Sequence, residues 1–197
     1  MTVRIPSDRV QIWDRTRTAH VDPAYYLVTI EIEHHKVHEG EIFFASDDAT
    51  GVNIATPKFY LLTTPDANIT GKHIHFAYTL NVNRSAKFEI WEDSFINASG
   101  TLLNIGNADR NSTKVNYVEI YKDATVNASG SRIAVFHVGS AASGLGANAV
   151  TGGGGADSKL PELILKSDTK YIFKISPKED DLDMSIGFGY YQQDVFE

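Results

Sequence analysis

The 197-residue chain contains no cysteine. Disulfides, thiolate metal sites and a cysteine nucleophile are excluded together. Long apolar runs are missing too, since none approaches the roughly 20 residues a membrane-spanning helix needs. The first 23 residues, MTVRIPSDRVQIWDRTRTAHVDP, hold no apolar core of a secretory leader, so the chain is expected to be soluble and made in the cytoplasm. Positive charge is in short supply: 18 Lys and Arg stand against 25 Asp and Glu, a formal net charge of −7. A protein that coats nucleic acid needs a basic face, and this balance argues against one. Neither a G-x-S-x-G nucleophile elbow nor a G-x-x-x-x-G-K-[ST] phosphate loop occurs. A helical stripe longer than a few turns is also missing.

What is present has a period of two. In KHIHFAYTLNVN (72–83), Ile74, Phe76, Tyr78, Leu80 and Val82 share one face, while His73, His75, Ala77, Thr79 and Asn81 share the other. Val28, Ile30 and Ile32 alternate with Thr29, Glu31 and Glu33 in the same way. Ile42, Phe43 and Phe44 form a short strand-like run before the turn-rich SDDATG, and further strands are expected at 58–65, 86–93, 114–122, 131–138, 162–166, 170–175 and 184–191. Short strands separated by Gly, Asn, Asp and Ser predict an all-β, antiparallel β-sandwich or jelly-roll-like fold. Five Asn-x-Ser/Thr triplets, at Asn68, Asn83, Asn97, Asn111 and Asn127, read as surface turns of such a fold.

Three segments depart from the pattern. Residues 1–23 carry four of the seven arginines and read as an extended N-terminal arm, leaving 24–197 as a single sandwich domain. Residues 139–158, GSAASGLGANAVTGGGGADS, offer almost nothing to bury and are expected to form a long flexible loop. Residues 177–197 are acidic. INASGT (96–101) and VNASGS (126–131) echo each other 30 residues apart, and two similar turns between strands account for that as well as a repeat does.

The histidines invite a metal reading. IEIEHHKVHEG places His34, His35 and His38 within five positions beside Glu39. A zincin-type site needs two histidines at i and i+4 on a helix. Here strands flank the cluster and Gly40 follows at once, so the histidines fall on different faces around a bend. The preferred reading is a structural His/Glu network at a strand end. His73 and His75 share a strand face as a cupin-type H-x-H pair does, with His137 as a distant third ligand. The carboxylate that motif requires a few residues on is missing. No metal, no other cofactor and no catalytic group is therefore assigned, and the chain is not read as an enzyme. Paired carboxylates for glycoside chemistry are a spatial matter that spacing does not decide.

EHHKVHEG after an alternating strand, LLTTPD followed by GKHIHF, then DRNST, then LILKSDTKYIFKI resembles in order a family of small virion-associated proteins of tailed bacteriophages. The similarity spans about residues 28–175. The chain ends GYYQQDVFE, where the family has a tryptophan-containing strand closing on a Glu–His pair. The resemblance implies a virion component on the capsid exterior, in the role of head decoration or cement protein: a β-rich homotrimer bound to the major capsid protein, without nucleic-acid or membrane partners. In that role Arg4, Arg9, Trp13, Arg15 and Arg17 of the arm are the expected capsid contacts. The alternative is a receptor- or glycan-binding module of a tail or head fibre, built on the same sandwich with Tyr and Trp as stacking groups.

Overall fold

The computed structural model describes residues 12–14, 17–21, 27–31, 36–139 and 163–194. Three N-terminal strands, β1 (Ile12–Asp14), β2 (Arg17–Val21) and β3 (Leu27–Glu31), form an antiparallel meander, with Arg17 facing Glu31 in the register. That sheet joins residues on both sides of position 23. Of the glycine-rich segment 139–158, only Gly139 lies within the described residues.

The rest is an antiparallel β-sandwich. Its strands are β4 (Ile42–Val52), β5 (Lys58–Thr63), β6 (Lys72–Val82), β7 (Ala86–Glu92), β8 (Phe95–Ala98), β9 (Thr101–Leu102), β10 (Gly106–Asn107), β11 (Glu119–Lys122), β12 (Thr125–Ala128), β13 (Ser131–Val138), β14 (Leu163–Leu165), β15 (Lys170–Pro177) and β16 (Leu182–Asp194). One sheet has the order β10-β4-β16-β6-β14 and the other β13-β7-β15-β5-β11-β9, while β8 and β12 pair as a separate ribbon. Among the described residues, no helix is long and apolar enough to cross a membrane.

Alternation explains the layering. On β6 the apolar set Ile74, Phe76, Tyr78, Leu80 and Val82 is buried, and the polar set lies on the outer face. Strand β16 does the same with Leu182, Met184, Ile186, Phe188, Tyr190 and Gln192. Phe173, fully buried on β15, joins the sheets: its ring centroid lies 5.2 Å from Phe76 and 5.4 Å from Phe188. Aromatic burial of this kind is worth about 1.5–3 kcal/mol per side chain.

Two expectations are corrected. SDDATG is no turn, because β4 runs through it to Val52 and pairs with β16 along its length. Its polar residues are tolerated because Asp47, on the core side, reaches across the sandwich. Asp47 accepts hydrogen bonds from the Tyr60 hydroxyl (2.9 Å) and the Lys122 ammonium (2.8 Å), so the half-buried carboxylate has its charge compensated. The strand expected at 114–122 is confined to Glu119–Lys122. Ahead of it, residues 115–118 pack on the end of β16. There Gln192 donates to Val115 O and accepts from Tyr117 N, and Tyr190 donates to Asn116.

The INASG and VNASG echo is also more than a pair of turns. Each segment forms a strand, β8 or β12, that leaves the six-stranded sheet at a left-handed aspartate, Asp93 (φ 57°) or Asp123 (φ 59°). Each crosses the outer face and returns at a left-handed glycine, Gly100 (φ 90°) or Gly130 (φ 71°). The registers match at an offset of 30: Trp91 faces Ile172 as Tyr121 faces Leu61, and Arg132 faces Trp91 as Leu102 faces Tyr121. An antiparallel strand pair carries a local two-fold, and here the pair Leu61–Ile172 extends it to the whole sheet. A side chain on Gly100 would overlap the Lys122 carbonyl, and one on Gly130 the Glu92 carbonyl. Beneath the ribbon, Leu61, Ile172 and Ala124 form a second small core, with Ile96, Val126, Trp91 and Tyr121 packed against it.

Candidate functional site

His34 and His35 lie outside the described residues, as do Arg4, Arg9 and Arg15. Trp13 and Arg17 are placed by their backbones in β1 and β2. Lys36, Val37 and His38 form a helical turn, Glu39 and Gly40 complete a tight turn, and His38 is exposed. Glu39 pairs with Lys36 at 3.0 Å. The centre of this corner, however, is Glu41, which the histidine-led reading passed over. Its buried carboxylate accepts from Lys36 (2.9 Å), with Lys114 at 3.4 Å and Lys72 at 3.6 Å. Lys72 is also bound by Asp194 at 2.8 Å. Burial pushes the Glu41 carboxyl up, but the hydrogen bond and charge of Lys36, with the charges of Lys72 and Lys114, outweigh it and hold the group below its ordinary range. The one sequence signal for this is an acid directly ahead of the apolar run Ile42–Phe44, a place where a side chain drawn into the core needs a partner.

His73 and His75 sit on the outer face of β6, opposite Gln193 and Tyr191 of β16, and the His75 ring stacks on Tyr191 at 4.4 Å. His137 is exposed on β13, in the other sheet, where its alternate neighbours Phe136 and Val138 turn to the core. The three histidines therefore lie on opposite outer faces and do not assemble into one site. Among the described residues, no three His, Asp or Glu side chains converge on a metal-sized site.

The four sequence motifs meet in pairs. EHHKVHEG packs on DRNST and its flanks: Ser112 Oγ donates to Gly40 O at 3.5 Å, flanking Asn107 donates to the same oxygen at 2.7 Å, and Lys114 reaches Glu41. LLTTPD packs on LILKSDTKY: Thr64 Oγ1 donates to Lys166 O at 2.7 Å and accepts from Thr169 N at 2.9 Å, while Asp168 N donates to Pro65 O. These motifs encode joints of the scaffold.

Beside the second joint an open cleft of about 430 Å³ runs between the ribbon and the start of β15. Thr63, Ser94, Phe95, Asn127, Asp168 and Lys170 contribute to its walls, together with Asp93. Phe95 begins β8 and is 68% exposed. Ser94, by contrast, is buried and donates to Ser129 O at 2.7 Å, which pins the ribbon to the sheet edge. Asp93 and Asp168 (φ 48°) project from left-handed turns.

A third feature is an edge. β13 ends the six-stranded sheet, is eight residues long and pairs only with β7 among the described residues. Ile133 (44%) and Val135 (43%) are exposed along it. Arg132, from the same strand, covers buried Glu89 with a 3.0 Å hydrogen bond and lies 5.6 Å over the Trp91 ring.

No family model matches the chain, and comparison with curated proteins and with solved structures likewise finds no match.

Proposed function

We propose that the chain is a structural virion protein of a tailed bacteriophage. In this reading it binds the outside of the major capsid shell as a decoration or cement protein, assembles as a trimer, and has no enzymatic role. The observation that carries the reading is β13, an eight-residue edge strand with exposed β-branched side chains. Edges of this length and composition template pairing with another chain unless something covers them, and strand addition is a common mode of protein docking. The order of the four motifs, which act as joints of one sandwich, supports the same family of virion proteins. In this role the arginines of the first 23 residues and Trp13 make further shell contacts. Many copies on one particle make modest contacts collectively strong.

Quantitative mass spectrometry of purified virions tests the proposal. A copy number on the scale of the capsid subunits is expected, with density outside the shell in a particle map. A few copies per particle, confined to the tail, overturns it.

A further inference from the structure

We propose that the cleft between the ribbon and β15 is a binding site for neutral oligosaccharides. The argument begins from the internal two-fold. Under the 30-residue offset the two halves share the residues that build the ribbon: Asp93 with Asp123, Asn97 with Asn127, and Gly100 with Gly130. Two of the features they do not share fall at the cleft. Asp123 is neutralised by Lys58 at 2.8 Å, whereas Asp93 makes no hydrogen bond or ion pair within the described residues. Thr125 occupies one half where Phe95 occupies the other. A threonine suffices to continue the strand, so the scaffold alone does not call for the phenylalanine. At 68% exposure its ring keeps an apolar face open to a ligand at the cleft.

The surroundings define the ligand. A phenyl face pairs with the C–H face of a pyranose ring, an apolar surface rimmed by hydroxyls. Those hydroxyls need acceptors and donors around the ring. Asp93 and Asp168 supply carboxylate oxygens, Asn127 an amide and Lys170 an ammonium; none of these four side chains makes a hydrogen bond or ion pair within the described residues, although the charge of Asp93 acts on nearby Lys166. The volume, about 430 Å³, lies in the range of small-ligand sites. Two carboxylates against one ammonium leave the cleft with a charge of −1, which disfavours uronic or sialic acids and selects neutral sugars. This inference stands apart from the capsid reading, because β13 and the arm take no part in it.

Ligand-observed NMR and calorimetry on the full chain test the site, with maltotriose, cellotriose and triacetylchitotriose as neutral probes and trigalacturonic acid as the anionic control. At least one neutral trisaccharide is expected to bind with Kd below about 5 mM, more tightly than the anionic control. Phe95→Ala should weaken binding by about tenfold or more and Asp168→Asn by about threefold or more. Phe95→Trp should retain binding, and Phe44→Ala, on the outer face of the other sheet, should leave it unchanged. Phe95 is a surface residue, and an unchanged circular dichroism spectrum of each variant secures the comparison. Absence of binding by all neutral probes, binding indifferent to Phe95→Ala, or preference for trigalacturonic acid overturns the assignment.

Discussion

Thr64 and Thr169 hold each other in both directions: Thr64 N donates to Thr169 O at 3.1 Å, and Thr169 N donates to Thr64 Oγ1 at 2.9 Å. Both residues are buried. The Thr64 hydroxyl also donates to Lys166 O, so one side chain satisfies two backbone groups of the facing loop. Thr64→Val keeps the shape and removes both bonds. A loss of about 1–3 kcal/mol in urea unfolding is expected, and Thr64→Ser should recover most of it.

Glu41 provides a pH test. Its folded-state carboxyl titrates below the ordinary value of 4.5. The stabilisation is therefore fully present above that value and is lost as pH falls through the lower, folded one. Glu41→Gln should cost on the order of 1–3 kcal/mol at neutral pH. The gap between wild type and variant should stay constant from pH 7 to about 5.5 and narrow below pH 4.5. Unfolding midpoints measured across that range decide it, and a gap that widens on acidification contradicts the assignment.

The two-fold makes a prediction about equivalence. Gly100→Ala and Gly130→Ala each force a side chain into a left-handed residue and onto a carbonyl of the opposite half. Each is expected to cost about 2–4 kcal/mol. Because the sites are related, the two losses should agree within about 1 kcal/mol, whereas unrelated turns would show no such match. Thermal unfolding of both single variants checks it.

Phe173 touches aromatic rings of both sheets, so its removal opens a cavity at the centre of the sandwich. Phe173→Ala should destabilise by about 3–5 kcal/mol, and Phe173→Leu by distinctly less. Denaturant titration with an unchanged m-value would tie the effect to the native core.

The sheets were legible wherever one face is buried and the other wet. Ile74 to Val82 alternates without a break, and each inward residue is buried. The extension of β4 through Ser46–Val52 was not legible, because Asp47 looks like turn chemistry until Tyr60 and Lys122 arrive from the other sheet. β8 and β12 were hidden for a related reason. Asn-Ala-Ser-Gly is turn-like in composition, and only pairing between the two copies makes strands of them. At the EHHKVHEG corner the three histidines drew attention away from Glu41, whose partners Lys72 and Lys114 lie far along the chain. The Phe95 cleft depends on residues 93–95, 127 and 168–170 coming together, and no local pattern announces that.

The placement of β15 and β16 has a consequence for synthesis. Each is an interior strand of a different sheet, and they are consecutive in the chain. β4 and β6 both wait for β16, and β5 and β7 both wait for β15. A ribosome that has released the first 160 residues has therefore made two sheets with their middles missing and four strand edges open. Closure is a late event governed by contacts of long sequence separation, which fold slowly and expose pairing-competent edges meanwhile. Stop codons or rare-codon pauses upstream of Lys170 should thus yield aggregation-prone fragments, and the successive strands β15 and β16, each closing its own sheet, are the keystones that end that vulnerable interval.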